Sequence, residues 1–355
     1  MNKKEKALFK ALCKFEEDTF EANLLAYASP EVLGHLFANR MQGVALGTLK
    51  KHQLLGKVNR EFRNSLAYAH EQNEQKNESF YQCIAMLNDV LSPGDFPFAM
   101  LKGAYLCSRY PVGYRTSNDV DILVSATDVT TIGKLLAKAG FQQGSIRNDE
   151  FVPATRQEII SSRMLRGETV PYIKEVGLPF MKFFEVDINF SLDYKNETDN
   201  LVEKLLSKVC RKQTASGEIP SLCDEDFFLH LCAHLHKEAT ILPWIKMGRD
   251  MTLYKYCDIY MLLTQSSDEE MQQIFQRSLE LGLEKVCAYA ILETIELFEM
   301  DKTWVAQWAT QALADAPSFR LQVTSPAEKK LFQYQTQNAS KRFFMKSRIT
   351  DLKEV

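Results

Sequence analysis

Residues 183–192, FFEVDINFSL, alternate strictly, with Phe184, Val186, Ile188, Phe190 and Leu192 set against Glu185, Asp187, Asn189 and Ser191. Successive side chains of a β-strand point to opposite faces. One face of this strand is therefore wholly apolar and the other wholly polar. A chain that contains it must pack one side of a sheet against a core, and must leave a row holding two carboxylates on the other side.

Most of the remaining sequence has the helical period. Residues 1–92 carry Leu24, Leu25 and Ala28, then Leu33, Leu36 and Phe37, then Phe62, Leu66, Ala69, Phe80, Ile84 and Leu87 at helical spacing. The polar run 70–79, HEQNEQKNES, reads as a solvated helix face. Ser92-Pro93-Gly94-Asp95 is a turn signal. Eleven Pro and 15 Gly in 355 residues leave helix interiors largely unbroken. The character changes at residue 96. FPFAMLK (96–102) and VDILV (120–124) read as short strands. Ser125 to Asp128 resembles a capping box, ahead of a helix with Val129, Ile132, Leu135, Leu136 and Ala139 on one face and Gly140 at its end. Residues 141–179 read as short strands and a mobile loop. From about residue 224 the chain is helical again. The expected architecture is α+β: a helical segment over 1–92, a small mixed sheet with flanking helices over 93–195, and a helical domain over 196–355.

Composition bounds the partners. Hydrophobic residues at 45% and charged residues at 25% exclude a mostly disordered chain. A net charge of −3 excludes a strongly basic nucleic-acid coat and gives no indication of RNA, though it leaves a local basic groove open. The N-terminus lacks the apolar stretch of a secretory signal, and no run is long enough to span a membrane. The eight cysteines contain no CxxC pair and read as reduced, mostly buried thiols of a cytoplasmic protein. The basic C-terminal run with Lys329, Lys330, Lys341, Arg342, Lys346 and Arg348 reads as an amphipathic terminal helix with snorkelling cations. His230 and His234 share a helix face. The HExxH pattern requires Glu after the first His, and Leu231 stands there, so helix packing is favoured over zinc.

The residues that carry chemistry are Asp119 and Asp121, two apart at the start of a strand and so on one face, with Val120 and Ile122 turned inward. Paired carboxylates on an apolar strand are costly. Mg²⁺ relieves that cost, since it takes hard oxygen ligands, retains waters and also binds substrate phosphates. Asp187 on the alternating strand supplies a third carboxylate if the two strands are neighbours. Without a metal, Asp119 would start a turn and Asp121 would pair with a nearby cation.

Leu101-Lys102-Gly103, Tyr110-Pro111, Arg115, Ser117 and Asp119-Val120-Asp121-Ile122-Leu123-Val124, followed by Glu185-Val186-Asp187-Ile188 and by the helix 226–234, resemble the uncharacterised bacterial branch of the nucleotidyltransferase superfamily, which has the DNA-polymerase-β-like fold. The resemblance covers roughly residues 95–263. It implies a Mg²⁺-dependent enzyme, with Mn²⁺ as a substitute, that moves a nucleoside monophosphate from an NTP to a hydroxyl of a small molecule, protein or RNA. Asp119, Asp121 and Asp187 would be the metal-holding catalytic residues. Lys102, Gly103, Arg115 and Ser117 would meet the nucleotide. Lys102 is otherwise a strand-end lysine in solvent, and Arg115 a structural ion-pair partner. Two departures stand out: Gly103 is followed by Ala104 rather than Gly or Ser, and Asn189 stands where the branch often has His. A catalytically silent nucleotide-binding or protein-interaction module on the same fold is the competing reading.

Overall fold

The computed structural model describes residues 1–165, 167–192 and 200–355. Backbone contacts group them into two compact units, Gln42–Phe227 on one hand and Met1–Met41 with Phe228–Val355 on the other. This differs from the three expected segments. The helix Arg60–Leu91 belongs with the sheet because its apolar stripe is part of the sheet's own core, whereas the first 41 residues group with the C-terminal part. The expected boundary at 195/196 lies outside the described residues.

The unit Gln42–Phe227 is built on a six-stranded mixed sheet. Its strands are β1 (Phe98–Met100), β2 (Asp119–Val124), β3 (Gln142–Arg147), β4 (Glu150–Pro153), β5 (Tyr172–Leu178) and β6 (Met181–Asn189), in the order β1-β2-β6-β5-β3-β4. β2 and β6 are parallel; β1 pairs antiparallel with β2, and β5 with β6. The α+β class with a mixed sheet is as the sequence indicated. The alternation has the expected outcome as far as Asn189, where the strand ends, three residues short of the expected 192. Phe184, Val186 and Ile188 are fully buried in one cluster with Val120 and Ile122 of β2, Phe80, Ile84 and Leu87 of the helix Arg60–Leu91, and Val129, Ile132 and Leu136 of the helix Val129–Lys138. Each such side chain contributes about 1.5–3 kcal/mol by leaving water. This cluster fixes which face of the sheet is buried, and so which face presents the carboxylates.

Four local expectations are corrected. The Ser125 capping box does not form: Asp128, not Ser125, is the residue that precedes the helix, and Ser125 Oγ lies 3.0 Å from Thr127 Oγ1. The polar run 70–79 is not simply a solvated face, since Asn77 is fully buried. Cys210 and Cys223 form a disulfide. They lie on and just after the hairpin of β7 (Val209–Thr214) and β8 (Gly217–Leu222), whose register sets Cys210 opposite Ser221 and brings the two Cα atoms within 5.4 Å. The other six cysteines are free and buried. The thiol-based argument for a cytoplasmic location therefore falls away; no helix among the described residues is long and apolar enough to cross a membrane.

The fourth correction lies in the other unit. Its C-terminal stretch is not one amphipathic helix, and residues 196–355 are not all helical. β9 (Gln322–Ser325), β10 (Lys330–Tyr334) and β11 (Leu352–Glu354) form an antiparallel sheet, interrupted by the short helix Ala339–Phe343. Two cations of the basic run turn inward: Arg342 pairs with the fully buried Glu293, and Arg348 with the buried Asp250. Nearby, His234 Nε2 lies 3.5 Å from Glu238, whose carboxylate also pairs with Lys255.

Candidate active site

The site begins where β1 ends. The Leu101 N–H donates to the Asp121 carbonyl at 2.9 Å, and the next residue, Lys102, takes φ 46° and ψ −117°. Such a conformation costs a non-glycine residue about 1–3 kcal/mol. It turns the chain, over the two residues Leu101 and Lys102, from β1 into the helix Gly103–Arg109 and sends the Lys102 side chain toward β2. Its Nζ lies 2.8 Å from Asp121 Oδ1. Gly103 is required here because a Cβ would lie 2.7 Å from Ser117 Cβ and 2.8 Å from Ser117 Oγ. In the structure this glycine makes room for Ser117, whose hydroxyl donates to Asp119 Oδ1 at 2.7 Å.

The loop leading to β2 is held by the long helix. Asn77 accepts from the Gly113 N–H and donates to the Arg115 carbonyl, both at 2.9 Å, and Asn73 donates to the Gly113 carbonyl at 2.9 Å. A buried amide that satisfies two backbone groups of a turn fixes its course. Arg115 is buried, and its guanidinium donates to the Thr116 carbonyl.

The parallel pairing sets Asp119 opposite Glu185 and Asp121 opposite Asp187. Residues paired in register share a face, so these four acids lie on the side of the sheet away from the apolar cluster. Asn189, on the same side, donates to Asp121 Oδ1 at 3.2 Å. Burial raises the Asp187 pKa well above the usual carboxylate range. The charges of Asp121, Asp119 and Glu168 push the same way, and Lys102 partly offsets them. Burial, then Asp119, also raises that of Glu185.

The structure thus brings together Asp119, Asp121, Asp187, Lys102 and Ser117, with Gly103 packed behind Ser117 and Arg115 set in the preceding loop. Sequence reasoning passed over three contributors. Asn77 was hidden in a polar run. Glu168 lies in a loop and reaches the site only because it bridges to Asn189. Glu185 shares the parity of Asp187, and its place opposite Asp119 needed the strand register.

Among the described residues no three His, Cys, Asp or Glu side chains form a ready-made metal cage. The chemistry of the set nevertheless suits a hard cation. Carboxylates crowd one face, Asp187 resists ionisation there, and one ammonium, Lys102, already occupies an oxygen of Asp121. Asp119, Asp121 and Asp187 are the residues that would hold a divalent cation, on condition that Lys102 yields its contact.

A family model described as "Uncharacterised nucleotidyltransferase" matches residues 30–299, well over half of the chain. None of the curated proteins compared with the chain matches it. Among solved structures, an antigenic nucleotidyltransferase-like protein from Paracoccidioides brasiliensis is similar at 13% identity and a TM-score of 0.37, covering 65% of this chain and 91% of that one. A likeness of that strength carries no functional detail, whereas the family model spans both strands that bear the carboxylates. The chain belongs to the uncharacterised nucleotidyltransferase family.

Proposed function

We propose that this protein transfers a nucleoside monophosphate from an NTP to a hydroxyl acceptor, breaking the α–β phosphoanhydride and releasing pyrophosphate, on the carboxylate face of β2 and β6, with Mg²⁺ or Mn²⁺ held by Asp119, Asp121 and Asp187. The observation that carries the reading is the parallel register of Asp121 and Asp187, with Lys102 aimed at the same carboxylate from a strained turn. This is the arrangement expected of a polymerase-β-like nucleotidyltransferase. Bound there, Mg²⁺ supplies charge neutralisation for the triphosphate and acidifies the acceptor hydroxyl.

The chain's own residues do the rest. Asp187, whose pKa is raised by burial and by the neighbouring acids, takes the acceptor's proton. With a divalent cation on Asp121, the Lys102 ammonium would meet a phosphate oxygen in place of that carboxylate. Ser117 holds Asp119 in one rotamer through its hydroxyl. Asn77 keeps the loop 113–115 in place so that Ser117 meets Asp119. The nature of the acceptor is tested by incubating the purified protein with each α-labelled NTP and Mg²⁺ or Mn²⁺, against pools of tRNA, protein and metabolites. Label should enter one pool with one NTP, and Asp187→Asn should abolish transfer.

A further inference from the structure

On the other side of the same sheet, the helices Val129–Lys138 and Arg156–Leu165 and strand β5 line a cavity of about 220 Å³. We propose that this cavity is a binding site for a small oxyanion of the phosphate class, distinct from the carboxylate cleft. Two cationic residues line it, Lys134 and Arg163, together with the hydroxyl-bearing Thr130, Thr169 and Tyr172; no Asp or Glu is among its described lining residues. A cavity so supplied with donors and lacking carboxylates selects anions. Its volume is below that of pockets that hold drug-sized ligands, which restricts it to a small ion or the phosphoryl end of a larger molecule.

Thr169 gives the second line of argument. It is 3% exposed, and its Oγ1 has no hydrogen-bond partner among the described residues. Buried hydroxyls are almost always paired, so an unpaired one lining a polar cavity calls for a ligand oxygen. Burial raises the Tyr172 pKa while the Arg163 charge pulls it down, so the phenol remains a donor at neutral pH. Gly133 supplies the third. It sits inside the helix Val129–Lys138, where glycine is unfavourable. A Cβ there would lie 2.4 Å from the Tyr172 hydroxyl. The glycine is what lets that hydroxyl stand at the cavity wall.

The placement separates this site from the catalytic one. Tyr172 is paired with Val186, so it lies on the apolar side of the sheet, opposite Asp187. One short segment touches both sides. The Thr169 N–H donates to the Ile188 carbonyl at 2.9 Å, while the neighbouring Glu168 bridges to Asn189.

The test is thermal unfolding and calorimetric titration of the full chain with sodium phosphate against sodium chloride at matched ionic strength, without nucleotide or divalent metal. Phosphate should raise the melting temperature of the wild type. Lys134→Met and Gly133→Ala should each weaken binding about tenfold or more. Thr169→Val, close to isosteric, keeps the readout if Gly133→Ala does not fold. Asp121→Asn should retain the full effect. Ribose 5-phosphate in place of inorganic phosphate distinguishes a phosphoryl group on a larger molecule from the free ion, and binding of either supports the site. No phosphate effect in the wild type, equal effects in the cavity variants, or loss of the effect in Asp121→Asn would each overturn the proposal. The last would assign the anion to the carboxylate cleft.

Discussion

The ammonium of Lys102 lies 2.8 Å from Oδ1 of Asp121, and Asn189 donates to the same oxygen at 3.2 Å. Asp121 is buried, so this pair balances a charge that would otherwise be left in a poorly solvated site. Lys102 occupies a position that a divalent cation would contest. Lys102→Met should therefore have two opposite effects. Metal-free stability should fall by roughly 3 kcal/mol, because one partner of a buried pair is lost. Mn²⁺ alone should bind more tightly, because no ammonium has to be displaced. Urea unfolding and Mn²⁺ titration followed by electron paramagnetic resonance measure the two. Unchanged Mn²⁺ affinity would show that Lys102 does not contest the metal position.

Asp187 is a source of instability in the absence of metal. Its folded pKa lies above the unfolded value of about 3.9, so the folded state retains a proton that the unfolded state gives up. Stability is then greatest below the unfolded pKa and declines as pH rises toward the folded one. Each unit of the window costs about 1.4 kcal/mol. Asp187→Asn should raise the melting temperature at pH 7 without metal and flatten this decline. The check is melting temperature against pH, in chelator, for both proteins.

Asn77 ties the long helix to the loop that carries Arg115 and Ser117. Asn77→Ala leaves a buried N–H and a buried carbonyl unpaired, each costing about 1–3 kcal/mol. Stability should drop by a few kcal/mol in urea. The variant, where still folded, should bind NTP with Mg²⁺ less tightly, since Ser117 no longer meets Asp119 in a fixed place.

The legible part of this chain is what period and parity encode. The alternation in 183–192 gave the strand, its buried face and the side on which Asp187 lies. The spacing of Asp119 and Asp121 gave their common face. Neither pattern contains the pairing of β2 with β6, which the sequence reading could take only as a condition. The contacts that complete the site were hidden for a similar reason. Asn77 looks like any polar helix residue until the loop 113–115 is laid against it. Glu168 stands in a loop without periodicity. Lys102 reads as a strand-end lysine because positive φ at a non-glycine residue has no residue signature. The inward turn of Arg342 and Arg348 was also illegible, since a basic run is compatible with a solvated helix unless buried acids such as Glu293 and Asp250 are known to be waiting for it.

The account rests on nucleotide binding that depends on metal at the carboxylates of β2 and β6. The most direct measurement is the melting temperature of wild type and Asp121→Asn with each NTP, with Mg²⁺ or Mn²⁺, and with both together. A ligand that binds only the native state stabilises it by about 2.7 kcal/mol at one hundred times its dissociation constant. The account predicts that one NTP with metal raises the wild-type transition more than either component alone, and that Asp121→Asn folds but loses most of that shift. If no NTP shifts the wild type with either metal, and Asp121→Asn melts as the wild type does under every condition, the enzyme reading is contradicted and the fold is a silent module.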